Sequence, residues 1–161
     1  MREQIFQFKY ETFLLSELTG IELSLVEESF NCFNKSYAPY SQFLVSAVAL
    51  LADGQIVSAG NQENASYGAT ICAERALLST ISAQFTNQII KAICVNYSPL
   101  NQTSFSKPIS PCGICRQVLL EQESKQNQEI IIYLTGPNKD VIKIASAKHL
   151  LPHYFGSEYL S

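Results

Sequence analysis

An α/β layered domain built on a mixed β-sheet is the fold class that the sequence predicts, and three observations predict it. Short apolar runs of strand length alternate with longer stretches of helical spacing along the 161 residues, the pattern of helices packed on a largely buried sheet. Asp53-Gly54 stands between two apolar runs, a hairpin signal, because glycine supplies the positive φ of a tight turn. The order helix, hairpin, helix, strand, helix then makes the sheet mixed rather than purely parallel. Apolar types are 47% of the chain and charged types 16%, which excludes disorder as the main state and leaves enough interior for one core. With no repeat, linker or low-complexity tract, residues 1–161 are expected to form a single domain.

The elements follow in order. Ile5 to Phe13 alternates loosely and is rich in aromatics, which predicts a strand. From Ile21 onward, Val26, Phe30, Phe33 and Tyr37 fall at steps of four, three and four, one face of an amphipathic helix that Pro39 would stop. Phe43 to Leu51 and Gln55 to Ala59 are the two arms of the hairpin. Thr70 to Ala83 reads as a helix with Ile71, Ala76, Leu77 and Ile81 on its packed face. Ala92 to Tyr97 is a short apolar strand, and a loop of Ser, Pro, Asn and Thr types leads to Ser110-Pro111, a helix start with proline at its first position. Ile130 to Leu134 and Val141 to Ile144 are two further strands around Gly136-Pro137-Asn138, and a short helix runs from Ser146 to Pro152. The expected sheet has about five strands.

Charge and hydropathy narrow the function. A formal charge of −3 argues against binding nucleic acid through many phosphates. The longest apolar stretch, Phe43 to Ala52, is about half of the ~20 residues a bilayer crossing needs. Arg2, Glu3, Lys9 and Glu11 occupy the place of a signal peptide's uncharged core, so a cytoplasmic location is expected. Five cysteines are then a poor disulfide framework and a better metal or catalytic set.

Two fragments carry the chemistry, Cys72-Ala73-Glu74-Arg75 and Pro111-Cys112-Gly113-Ile114-Cys115-Arg116-Gln117. Cys112 and Cys115, three apart at a helix start, can chelate one zinc ion, and Cys72 at the start of another helix would supply a third sulfur. Three protein ligands with an open fourth position are the pattern of a catalytic zinc. Helix N-termini favour thiolate over thiol, and Arg75 could donate to the sulfurs and trim their excess charge. Glu74, two residues past Cys72, suits a general base that takes a proton from water without itself being a ligand. A lone C-x-x-C could equally be structural or redox-active, though no thioredoxin-type pattern surrounds this one. Cys94 as a fourth ligand would close the site and make the zinc structural; in the apolar strand Ile93-Cys94-Val95 it reads as a small hydrophobe, as does Cys32 on the first helix. His149 and His153 are separated by the break at Pro152 and read as surface or packing residues, and Glu121, Glu123 and Glu129 as a solvated face.

Taken together these residues resemble the zinc-dependent cytidine deaminases of the small homotetrameric type, whose wider class shares an x-Glu and Pro-Cys-x-x-Cys signature. Tyr40-Ser41-Gln42-Phe43, Asn61 through Tyr67, Thr70 through Arg75, Pro111 through Gln117 and Leu150-Leu151-Pro152 with Phe155-Gly156 fall in that family's order, from about Leu25 to Leu160. The resemblance implies a three-layer α/β/α fold, one zinc per subunit on Cys72, Cys112 and Cys115, and Glu74 as proton shuttle with Arg75 behind the ligands. It implies that Asn61 and Glu63 bind the ribose hydroxyls, that Ala73 contacts substrate and that Phe43 packs on the pyrimidine. Tyr67 and Phe155 would complete a neighbouring subunit's site in a homotetramer or dimer. The implied reaction is deamination of the free nucleosides cytidine and 2′-deoxycytidine in pyrimidine salvage. A deaminase with another substrate and a non-catalytic zinc-stabilised module are the rivals; the second predicts four fixed metal ligands and no dependence on Glu74. Two departures stand out: Ser46 where relatives usually have glycine, and residues 1–20, an N-terminal extension expected to add a strand.

Overall fold

The computed structural model describes residues 1–101 and 105–160; positions 102–104 of the expected polar loop lie outside the described residues. Six strands form one sheet: β1 (Tyr10–Leu14), β2 (Phe43–Leu51), β3 (Ile56–Gly60), β4 (Ile90–Pro99), β5 (Ile131–Thr135) and β6 (Asp140–Ile144), in the order β1-β6-β5-β4-β2-β3. Among these six strands of the described residues, only β4 and β5 pair in parallel. The sheet is therefore mixed, and the sixth strand is the one that the N-terminal extension adds at an edge.

Helices cover both faces. The helices are α1 (Gly20–Asn31), α2 (Ala73–Gln84) and α3 (Gly113–Gln126). Side chains alternate across a strand, so Ala47, Ala49 and Leu51 of β2 pack with Leu77, Ile81 and Leu119 of α2 and α3. Val48 and Leu50 pack on the other face with Leu25 and Val26 of α1. This is the expected three-layer α/β/α arrangement. The β2–β3 turn follows from its sequence: Gly54 takes φ +89°, and Asp53 Oδ1 accepts from Gln55 N at 3.0 Å.

Several boundaries differ from the sequence reading for identifiable reasons. The first strand starts at Tyr10, not Ile5, because Tyr10 pairs with Ile144, the last residue of β6, and nothing earlier has a partner strand. The first helix stops at Asn31 rather than near Pro39. Tyr37 N donates to Asn61 O and Glu63 N donates to Tyr37 O, each at 2.8 Å, so Tyr37 runs extended beside the segment after β3 and stays exposed. Ile71 is likewise drawn out of the second helix by reciprocal backbone bonds to Gln62 at 2.8 and 2.9 Å. Glu123 is no part of a solvated face. It is buried, and its carboxylate accepts from Ile130 N (2.7 Å), Ala147 N (2.7 Å) and Ser146 Oγ (2.9 Å), tying the end of α3 to the start of β5 and to the 3-10 turn Ala147–Leu150.

Candidate active site

Topology brings the two cysteine fragments together. Strands β3 and β4 both run antiparallel to β2, hence in the same direction, and finish at the same end of the sheet. The helices that follow them, α2 and α3, start there and share one face. Each is preceded by a cysteine with extended backbone at the N-cap, Cys72 (φ −66°, ψ 153°) and Cys112 (φ −66°, ψ 166°). The second helix of the pair thus begins at Gly113, two residues later than Pro111, and Cys115 occupies its third position. The sulfurs of Cys72, Cys112 and Cys115 lie within 4.8 Å of one another.

The donor set fits zinc. Two thiolates each about 2.3 Å from one tetrahedral ion stand about 3.8 Å apart, and Cys72 Sγ lies 3.8 Å from Cys112 Sγ. Hydrogen bonding from Cys115 above all, then from Cys112, together with the Arg75 charge, brings the Cys72 thiol down to about 6 against the opposition of burial. The Cys115 thiol is pushed up by that same pairing and by burial. A cluster that already concentrates negative charge on one sulfur is poised for a cation. Among the described residues no fourth ligand joins the group. Cys94 lies fully buried on the α1 side of the sheet, where burial pushes its thiol up to about 12, and Cys32 packs beside it. A closed four-sulfur site through Cys94 is thereby excluded.

Glu74 sits at the second position of α2, 4% exposed, and burial raises its carboxyl above the usual range while the neighbouring Cys72 charge adds to the rise. Ala73, fully buried, holds the first position, where a helix leaves its backbone N–H without an intrahelical partner. Arg75 is half-buried and acts on Cys72 through its charge; among the described residues no hydrogen bond joins it to a sulfur. Arg116 had no role in the sequence reading. Its Nε donates to Pro111 O (2.8 Å) and its Nη1 to Leu150 O (2.9 Å), fixing the segment that presents Cys112. Gln117 Nε2 donates to Phe155 O at 2.8 Å and holds the C-terminal segment near the same helix. Their place directly after Cys115 was the available signal.

The remaining expected residues line the same end of the sheet, where β2 begins and β3 ends. Asn61 continues the β3 ladder with its side chain: Oδ1 accepts from Val45 N (2.9 Å) and Nδ2 donates to Phe43 O (3.0 Å). Glu63 Oε2 accepts from Tyr40 N (2.9 Å) and Ser41 N (3.2 Å), and hydrogen bonding from the Ser41 side chain, then these amides, lowers its carboxyl below the usual range. The Phe43 ring stacks on Tyr97 at 5.0 Å and 17°. Tyr67 and Phe155 are exposed at 76% and 58%; Tyr67 meets Tyr40 edge-on and Phe155 stacks on Tyr159. The Ser46 hydroxyl donates to Ser29 O of α1 at 2.6 Å, on the sheet face away from the cysteines, so this departure is a structural tie.

Comparison with known proteins agrees with this geometry. The family described as "Cytidine and deoxycytidylate deaminase zinc-binding region" matches residues 21–131. The cytidine deaminase of Halalkalibacterium halodurans is 33% identical over 83% of this chain and 93% of its own length. That of Sporosarcina psychrophila is 38% identical over 85% and 93%. The crystal structure of the Burkholderia pseudomallei cytidine deaminase is 38% identical and superposes with a TM-score of 0.69, covering 82% of this chain and 97% of that one. With the signature, the fold and the three-sulfur cluster in agreement, this chain belongs to the zinc-binding cytidine and deoxycytidylate deaminase family.

Proposed function

We propose that this protein converts cytidine and 2′-deoxycytidine to uridine and 2′-deoxyuridine with release of ammonia, as a step of pyrimidine salvage. The observation that carries the reading is a buried carboxyl, Glu74, on the first turn of the helix capped by Cys72, beside two more cysteines of a three-sulfur set. Cys72, Cys112 and Cys115 would hold one zinc per subunit. When bound, zinc lowers the pKa of water and so makes a nucleophile available at neutral pH. Glu74 accepts one proton of the attacking water and delivers it to N3 of the base; it then takes the second proton from the new C4 hydroxyl and passes it to the departing amine. Its burial suits it to hold a proton between transfers. In balance, water adds at C4, the bond from C4 to the exocyclic nitrogen breaks, and the nitrogen leaves as ammonia.

Positioning falls to the neighbouring residues. The Ala73 backbone N–H is oriented as a donor to the base, and the Phe43 ring packs on it. Asn61 spends one N–H and one lone pair on β2, which leaves it a second of each for a ribose hydroxyl, and Glu63 supplies a carboxylate acceptor beside it. Arg75 stabilises the charged cysteine set from behind. The exposed rings of Tyr67 and Phe155 are read as completing the site of a neighbouring copy in a homotetramer, and a cytoplasmic location goes with a free nucleoside substrate. Among the described residues no helix is long and apolar enough to cross a membrane.

Loss of cytidine's ultraviolet absorbance on the purified protein tests the reaction. Turnover by the wild type, with zinc bound in both wild type and Glu74→Gln, is the expected result. Bound zinc without turnover on either nucleoside would sink the reading.

A further inference from the structure

We propose that Tyr97 is a positioning residue for substrate binding, a buried platform that sets the plane of the Phe43 ring. The inference rests on the reading of Phe43 as the ring that packs on the base. Tyr97 lies on β4 directly opposite Val45, so Phe43 is its diagonal neighbour on the same sheet face. The two rings are close to parallel, with centroids 5.0 Å apart, an offset-stacked geometry that aromatic pairs favour. Phe43 opens its strand and lies partly exposed, whereas Tyr97 is 1% exposed and its hydroxyl is hydrogen-bonded.

The anchoring of Tyr97 is specific. Its hydroxyl donates to Lys107 O at 3.0 Å, across the loop that leads to Cys112. Gly136, after β5, leaves the room the ring needs: a Cβ there would lie 2.8 Å from Tyr97 Cε1 and 2.7 Å from Lys107 O. Asn61 grips the backbone of Phe43 from the β3 side. Backbone and ring of Phe43 are therefore held from two different strands, and a ring held in advance costs less to order when a flat ligand stacks on it.

The test is steady-state kinetics on cytidine with the zinc-loaded enzyme. Tyr97→Leu is expected to raise KM about fivefold while kcat stays within about twofold, because uniform binding is lost and the proton shuttle is untouched. Tyr97→Phe keeps the ring but loses its tie to Lys107 O, so its KM should lie between those of the wild type and Tyr97→Leu. In a Phe43→Leu background, Tyr97→Leu should add almost nothing, since the platform then has no ring to hold. Where Tyr97→Leu fails to fold, Gly136→Ala, whose Cβ would press on Tyr97 Cε1 and on the Lys107 carbonyl that holds its hydroxyl, should displace the ring and raise KM in the same way. An unchanged KM in Tyr97→Leu, a fall confined to kcat, or full additivity with Phe43→Leu would each overturn the proposal. An unchanged KM in Phe43→Leu alone would instead overturn the reading of Phe43 on which it rests.

Discussion

Glu74 and Cys72 share the start of one helix, and that spacing sets what a single substitution can separate. Gln has nearly the shape of Glu and keeps the helix and the three sulfurs intact, yet it can neither accept nor release the proton. Glu74→Gln is therefore expected to keep its zinc and its melting temperature and to lose at least about a thousandfold in kcat, the upper part of what a general acid–base contributes. Metal analysis beside the ultraviolet assay checks both halves; turnover near the wild-type rate would refute the assignment. Replacing Cys112 by Ala leaves two sulfurs, and zinc per chain should fall after dialysis against a mild chelator, which elemental analysis reads directly. The clustering of these residues was legible in the sequence because Cys-x-Glu and Cys-x-x-Cys fix local spacing. The packing of Phe43 on Tyr97 was not, since the partners are 54 residues apart in sequence and meet only through strand register.

At the scale of elements, one carboxylate adds to the ties between α1 and the sheet. Glu22 Oε1 accepts from Tyr133 Oη (2.6 Å) on β5 and from Lys143 Nζ (2.8 Å) on β6. Hydrogen bonds from Lys143 and then Tyr133 hold the Glu22 carboxyl below its ordinary value of 4.5. A carboxyl depressed in the folded state stabilises above its unfolded pKa, and that stability is lost as pH falls through the folded value. Glu22 and Lys143 side chains are 39% and 23% exposed, so solvent screening limits the effect to about 0.5–1 kcal/mol. Glu22→Gln should thus lower the melting temperature at pH 7, and the gap to wild type should narrow as pH falls below 4.5 and on through the lowered folded value; a gap that stays constant throughout the acid range would refute the linkage. Sequence patterning found the six strands and three α-helices of the described residues and both ends of β2, but it misjudged most other ends and missed short 3-10 turns such as Leu15–Glu17 and Tyr67–Ala69. The end of α1 and the start of α2 are decided by backbone bonds of Tyr37 and Ile71 to the segment after β3, which no local periodicity records.

For the whole molecule, the exposed apolar side chains matter most. Tyr67, Phe155, Tyr159 and Leu160 are each more than half exposed, and Phe155 stacks on Tyr159; burying such side chains between copies would remove their apolar surface from water. Sedimentation is expected to give the mass of four chains, and Phe155→Ala should shift it toward smaller species. If sites are completed between copies, mixing Glu74→Gln chains with Phe155→Ala chains should restore part of the activity that neither has alone. No recovery after subunit exchange would count against sites shared between copies.

The sequence by itself determined the α/β class, the hairpin at Asp53-Gly54, the three cysteines whose sulfurs form a group able to hold a metal ion, and the carboxyl beside them. Each of these is written in residue types and short spacings, where turn chemistry, helix caps and chelate geometry act. The tertiary structure alone decided that Cys94 lies on the wrong face of the sheet to join the metal set, that Glu123 is buried under three hydrogen bonds, and that Tyr97 lies beneath Phe43. Glu123 lies on α3 and meets partners that only the packing of that helix against the chain after it brings near; for Cys94 and Tyr97 the reason is strand geometry. A strand places successive side chains on opposite faces, and which partner each then meets depends on the order and direction of strands far apart in the chain.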